Sequence, residues 1–180
     1  NNYILIFVTT LTLVVAVVLA TLFSTLKPVH DANEAIYNKK AILMAIKDHL
    51  GNDPKSMTDA EIDDIFSDQI EQYAIDMTGN VLDDITAEDI DMKKEKKKPE
   101  AERKLPVYIF EKAGEKYYII SVRGNGLWDE IWGCIALEKD LNTISGVSFD
   151  HQAETPGLGA EIKDNPTFPA QFIGEKFYKE

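Results

Sequence analysis

The sequence predicts an α+β protein: one N-terminal transmembrane helix, then a soluble domain with a mainly antiparallel sheet flanked by helices. Three observations predict it. Tyr3 to Leu26, YILIFVTTLTLVVAVVLATLFSTL, carries no charge, and a helix of about 24 residues at 1.5 Å per residue exceeds the roughly 30 Å hydrocarbon core of a bilayer. From Val29 to about Gln72 apolar residues recur at the helical period. From Leu105 the composition turns to β-formers in short runs separated by turn residues. On this reading residues 1–27 are the anchor, 28–104 a helical and acidic linker region of the soluble domain, and 105–180 its core.

The anchor is longer than the roughly 7 to 15 apolar residues of a signal peptide and no A-x-A site precedes Lys27, so it is read as uncleaved and single-pass. Its hydroxyls, Thr9, Thr10, Thr12, Thr21, Ser24 and Thr25, can bond back to the helix backbone and do not oppose a span. In Pro28 to Leu50, Ala35, Ile36, Leu43, Ile46 and Leu50 keep approximate helical spacing until Gly51-Asn52-Asp53-Pro54 ends the run. Thr58 followed by Glu61 is a capping-box pattern, and Ile62, Ile65, Phe66 and Ile70 give a second helix its apolar stripe. Asp59, Glu61, Asp63, Asp64 and Asp68 form an acidic face, read as solvated because the glycine and distal glutamate of a calcium loop are not spaced there. Tyr73 to Asp84, with Thr78-Gly79-Asn80 between short apolar runs, is expected as a hairpin. Thr86 to Lys104 is expected as an exposed helix or mobile linker, and the lysine run from Lys93 to Lys98 as a solvated face within it.

LPVYIF, KYYIISV, EIWGCIALE and TISGVSFD then read as four strands, with turns at Ala113-Gly114 and Asp140-Leu141-Asn142. RGNGLWD, Arg123 to Asp129, joins the second and third of these and ends on bulky apolar residues. After the last strand comes HQAETPGLGAEI, in which Pro156 fixes φ and Gly157 tolerates φ > 0, so Thr155 to Leu158 fits a type II turn that presents Leu158 at its tip. Both loops lie at strand ends, where ligand sites often sit. Trp128, Leu158 and the neighbouring glycines suit a flat aromatic ligand, a partner-protein surface or simple core packing.

The remaining chemistry is mostly exclusion. A net charge of −12, from 31 acidic and 19 basic residues, disfavours nucleic acid as a partner because its phosphates would be repelled, and no nucleic acid is expected. No basic cluster follows the anchor, where Lys27 is nearly alone, which favours a domain outside the cytoplasm. The single cysteine, Cys134, forbids an internal disulfide, and Ile131, Ile135 and Leu137 around it suggest a buried, inert thiol. His30, His49 and His151 are scattered, so no metal site is expected, and the common phosphate-loop, dinucleotide and hydrolase motifs are missing.

GNGLW at Gly124 to Trp128, ALEKDLNTISGVSF at Ala136 to Phe149 and ETPGLG at Glu154 to Gly159 occur at separations that closely resemble the FMN-binding domain of the family of C subunits of sodium-translocating NADH:quinone reductases. The resemblance is strong from about Val107 to Tyr178, and the N-terminal span agrees with it. It implies FMN as cofactor, single-electron transfer within a bacterial inner-membrane complex, and a soluble domain on the periplasmic side. The partners implied are the other subunits, which hold the NADH, quinone and sodium sites, and the membrane lipid around the anchor. Carried onto this sequence, it implies that Glu154 and Thr155 meet the polar edge of the flavin, Leu158 and Trp128 its faces, and that Gly126, Gly157 and Gly159 give clearance, with Leu127 and Pro156 completing the two loops. No residue is implied as an acid, base or nucleophile. The family joins its FMN to a threonine of an [ST]-G-A-T motif. Ile144-Ser145-Gly146-Val147 and Met77-Thr78-Gly79-Asn80 do not continue that way, so the attachment residue is expected beyond Glu180. The related G subunits of Rnf complexes share ETPGLG and are the alternative family; a membrane-anchored assembly module without flavin is the alternative function class.

Overall fold

The apolar N-terminus is a single helix, α1 (Asn2–Ala45), in a computed structural model that describes residues 2–178. Thr12 and Thr21 donate their hydroxyls to the carbonyls four residues back, each at 2.8 Å, which removes the polarity of those side chains from the surface. It is long and apolar enough to cross a membrane. The helix expected to begin at Pro28 is continuous with the span: Pro28 lies inside α1. Proline removes one backbone donor and crowds the preceding turn, and here the helix runs through it. The chain forms two compact units, Asn1–Tyr37 and Asn38–Glu180, and the elements that follow belong to the second.

After α1 a 3-10 turn at Lys47–His49 leads into the loop before α2 (Asp59–Gln69). The expected capping box is formed: Thr58 N donates to Glu61 Oε2 at 2.8 Å, and Glu61 N to Thr58 Oγ1 at 3.4 Å. Ile62 and Phe66 bury the inner stripe of α2. On its outer side Asp63 pairs with Lys39, 2.5 Å away, and Lys39 also reaches Glu88 at 3.3 Å.

Five strands form one antiparallel sheet in sequence order: β1 (Ile70–Asp76), β2 (Lys104–Lys112), β3 (Glu115–Asn125), β4 (Glu130–Leu137) and β5 (Ile144–His151). β2 to β5 coincide with the four expected runs, except that Glu138 and Thr143 fall just outside β4 and β5. β1 corrects the reading of Ile70 as helical and of Tyr73 to Asp84 as a full hairpin. The tight turn exists, with Gly79 at φ +86° and the Asp76 carboxylate accepting from the amides of Thr78 and Asn80, but its second arm is a lone bridge from Ile75 to Val81. β1 pairs instead with β2, Ile70 opposite Phe110 through Asp76 opposite Lys104. A seven-residue segment of alternating burial is stabilised as a strand by that distant partner.

Side chains alternate across the sheet. Tyr108, Ile119, Ala136 and Gly146 follow one another across the register and so share one face, with Ser148 two residues on. On that face α2 packs Phe66 edge-on to Tyr108, with ring centroids 5.8 Å apart, and the end of α1 comes so close that the Ser148 hydroxyl donates to the Ala41 carbonyl at 2.7 Å. The opposite face carries Val147, Phe149 and Ile135. There α4 (Glu161–Asp164) and α5 (Thr167–Ala170), with the turn after them, bring Phe168 and Phe172 edge-on to Phe149. Cys134 is buried, and that burial pushes its thiol up to about 11.

Thr86 to Lys104 do not form the exposed helix or linker expected: Lys104 begins β2, and the residues before it lie in several short elements. They fold as short turns, including α3 (Met92–Glu95), and bury Ala87 and Glu95. Burial opposes the charge of Glu95, but Lys98 Nζ at 2.7 Å and the Lys104 amide at 3.0 Å outweigh it and hold its carboxyl below the ordinary range. The lysine run is therefore partly structural: Lys96 bonds Asn125 Oδ1 at 2.5 Å and approaches Glu130 at 3.5 Å.

Candidate functional site

The two glycine-rich segments meet at one end of the sheet. The β3–β4 connection closes on itself, Gly126 N donating to Asp129 O at 2.7 Å, and β5 is extended past its last residue by Gln152 N donating to Glu130 O at 2.9 Å. The chain then turns at Thr155 to Leu158 as a type II turn requires. Gly157 has φ +74°, and the Leu158 amide returns to the Thr155 carbonyl at 3.1 Å. The Ala160 amide reaches the same carbonyl at 3.1 Å, which pins the turn to the start of α4, and Lys163 of that helix pairs with Asp150 of β5 at 2.8 Å.

This arrangement holds bulky apolar side chains in solvent: Leu127 is 80% exposed, Trp128 69% and Leu158 71%. Thr155, Pro156 and Gly157 are exposed beside them. Glu154 differs, at 7% exposed. Its Oε1 accepts the Trp128 amide at 3.0 Å, and its own amide donates to His151 Nδ1 at 3.2 Å. A Cβ on Gly126 would lie 2.2 Å from Glu154 Oε1, and one on Gly159 2.2 Å from Oε2. The room left by these two glycines is thus taken by the Glu154 carboxylate. Gly157 has nothing within 4 Å of the position a Cβ would occupy, so its role is its backbone conformation.

Residues that the sequence did not single out support the loops. Arg123 pairs with Glu130 at 2.6 Å and lies over the Trp132 ring, 4.9 Å from its centroid, while Lys96 joins Asn125 and Glu130 from the other side. Arg123 opposite Trp132 across neighbouring strands was the available sequence signal; nothing in the sequence announced the contact from Lys96.

An exposed indole and an exposed leucine on adjacent, hydrogen-bonded loops offer flat apolar surface, and exposed backbone and the Thr155 hydroxyl offer polar partners, a donor set that fits an isoalloxazine ring.

Comparison with known proteins points the same way. The FMN-binding domain family model matches residues 126–179, starting in the first loop and including the second. The C subunit of the Na(+)-translocating NADH-quinone reductase of Vibrio campbellii is 31% identical over 192 residues, covering 94% of this chain and 70% of that protein. Its counterpart in Pseudomonas aeruginosa is 31% identical over 198 residues, covering 94% and 73%. That of Vibrio anguillarum is 36% identical over 138 residues, which span 66% of this chain and 53% of its relative. Among solved structures, the C subunit of the same reductase from Parabacteroides distasonis superposes with a TM-score of 0.72 at 31% identity, covering 85% of this chain and 71% of the other. NqrC of Shewanella oneidensis gives 0.69 at 26% identity, covering 83% and 73%. With 31% identity sustained over 70% of one relative and 73% of another, this chain belongs to the family of Na(+)-translocating NADH-quinone reductase C subunits.

Proposed function

We propose that the chain is the FMN-carrying, electron-transferring subunit of a membrane complex that couples NADH oxidation and quinone reduction to sodium export. The observation that carries this reading is the coincidence of the FMN-binding-domain match at 126–179 with the two loops that the fold sets side by side. FMN, when bound, supplies one-electron transfer chemistry that no amino-acid side chain here offers. The chain's own part is to hold and orient. Trp128 and Leu158 give the ring apolar surface, Leu127 and Pro156 shield it, and the exposed Thr155 serves its polar edge, while the buried Glu154 carboxylate, expected at that edge, holds the two loops instead. Gly157 sets the turn, and Gly126 and Gly159 let the loops close together. The acidic part at 28–104, which also contributes β1 to the sheet, supports the strand-rich part at 105–180 that holds the cofactor.

In this reading the tether is a phosphoester to a threonine outside these 180 residues. The nearest hydroxyls in related strings are already engaged, Ser145 with His49 at 2.6 Å and Thr78 with Asp76 at 2.7 Å. The soluble domain lies on the periplasmic side of a bacterial inner membrane, bound to the other subunits. The test is denaturing electrophoresis with flavin fluorescence on this chain and on one extended through an [ST]-G-A-T motif, in cells with the attaching transferase. The extended chain should fluoresce and this one should not. Leu158→Ala in the extended protein should keep the tether and shift the flavin's potential and visible spectrum. A fluorescent band from the 180-residue chain would put the tether on a residue within it, and an unchanged potential would remove the turn from the site.

A further inference from the structure

We propose that Glu154 is a positioning residue: its buried carboxylate is a brace that locks the 126–129 loop to the 155–159 turn and so fixes where the Trp128 indole is held. Past the final main-chain bond of the ladder, Gln152 to Glu130, the bond from the Trp128 amide to Glu154 Oε1 at 3.0 Å is the one that crosses between the two segments among the described residues. The carboxylate sits where neither glycine could carry a side chain, against Gly126 through Oε1 and against Gly159 through Oε2, Cδ and Cβ. Its backbone is anchored as well, because the Glu154 amide donates to His151 Nδ1 at the end of β5. Two loops therefore converge on a side chain that is 7% exposed, carried by a backbone that the end of β5 anchors. The carboxyl oxygen accepts the backbone amide, and the steric fit on both sides gives the side chain one place to be.

The consequence for the cofactor rests on the flavin reading above: a brace that fixes Trp128 and Leu158 relative to each other would set the gap into which a ring fits. The brace can be tested without flavin. Amide hydrogen exchange at Trp128 in the 180-residue chain, solubilised in detergent, should quicken about tenfold or more in Glu154→Ala, the scale set by losing a charge-assisted bond. Glu154→Gln, which keeps an acceptor oxygen at the same reach, should stay within about threefold of the parent. Gly159→Ala, which pushes the carboxylate aside from the opposite loop without touching Trp128, should reproduce the Glu154→Ala result. If Glu154→Ala does not fold, Glu154→Asp, which retracts the carboxylate by one methylene, carries the same comparison. Unchanged exchange at Trp128 in the alanine variant, or an equal rise in the glutamine variant, overturns the brace. The flavin-loaded, extended protein then separates the two ideas. Faster exchange at Trp128 with an unshifted flavin potential keeps the brace and refutes the placement of the ring at these loops.

Discussion

Gly146→Ala tests how the end of α1 is seated on the sheet. Gly146 lies in β5, and a Cβ built there would come 2.3 Å from the carbonyl oxygen of Ala45. Both colliding groups belong to packed backbone, so no side-chain rotation relieves the clash. Restoring ordinary contact at 3.4 Å requires the helix end and the strand to part by about 1 Å. That separation would also stretch the Ser148 bond to the Ala41 carbonyl, now 2.7 Å, and loosen Leu43 and Ile46, both fully buried. Overpacking of a close-packed contact costs about 1–3 kcal/mol. With roughly 3 °C per kcal/mol for a unit the size of Asn38–Glu180, a central cost of about 2 kcal/mol lowers the melting temperature by about 6 °C. The assay is thermal unfolding of the chain in detergent, followed by near-UV circular dichroism, with Gly51→Ala as the control. Gly51 has nothing within 4 Å of the added methyl, so its variant should melt with the parent. A Gly146→Ala protein melting within about 1 °C of that control would show that the approach of α1 to β5 is not tight, and the argument for glycine at this position would fall.

His49 predicts a pH dependence. Burial lowers its imidazole below the ordinary histidine value, Lys112 adds to that, and Asp48 and Glu138 act in the opposite sense without reversing it; the ring meanwhile stacks on Tyr117 at 4.0 Å and shares a bond with Ser145. A depressed folded value means the neutral ring is the one the fold favours, so its contribution is present above about pH 6.5 and is lost as pH falls through the folded value. An NMR titration of His49 should give a midpoint below that of an unfolded histidine, and a midpoint at or above it would refute the assignment. For the topology, Lys97 is exposed, and Lys97→Cys should react with a membrane-impermeant thiol reagent in intact spheroplasts. Labelling only after lysis would place the domain in the cytoplasm.

The sequence by itself determined whatever depends on neighbours along the chain. An uncharged run longer than a bilayer core is able to cross one whatever follows it, Thr58 and Glu61 cap a helix with atoms three residues apart, and Pro156-Gly157 closes its turn within four residues. The alternation in β2 to β5 and the turns at Ala113-Gly114 and Leu141, where φ is positive, are likewise local. Tertiary structure decided what needs a partner distant in sequence. The seven residues of β1 are a strand because β2 lies beside them, and the buried Glu95 is tied to the sheet because the Lys104 amide at the start of β2 donates to it, so a stretch that is polar in composition becomes part of the packed domain. The same holds at the candidate site. ETPGLG announces a turn, but that Glu154 would reach across to the amide of Trp128, 26 residues earlier, and fill the space left by two glycines depends on β3, β4 and β5 having already brought those backbones together. A carboxylate's role is fixed by which atoms surround it, and the identity of those atoms is set by the sheet rather than by the motif.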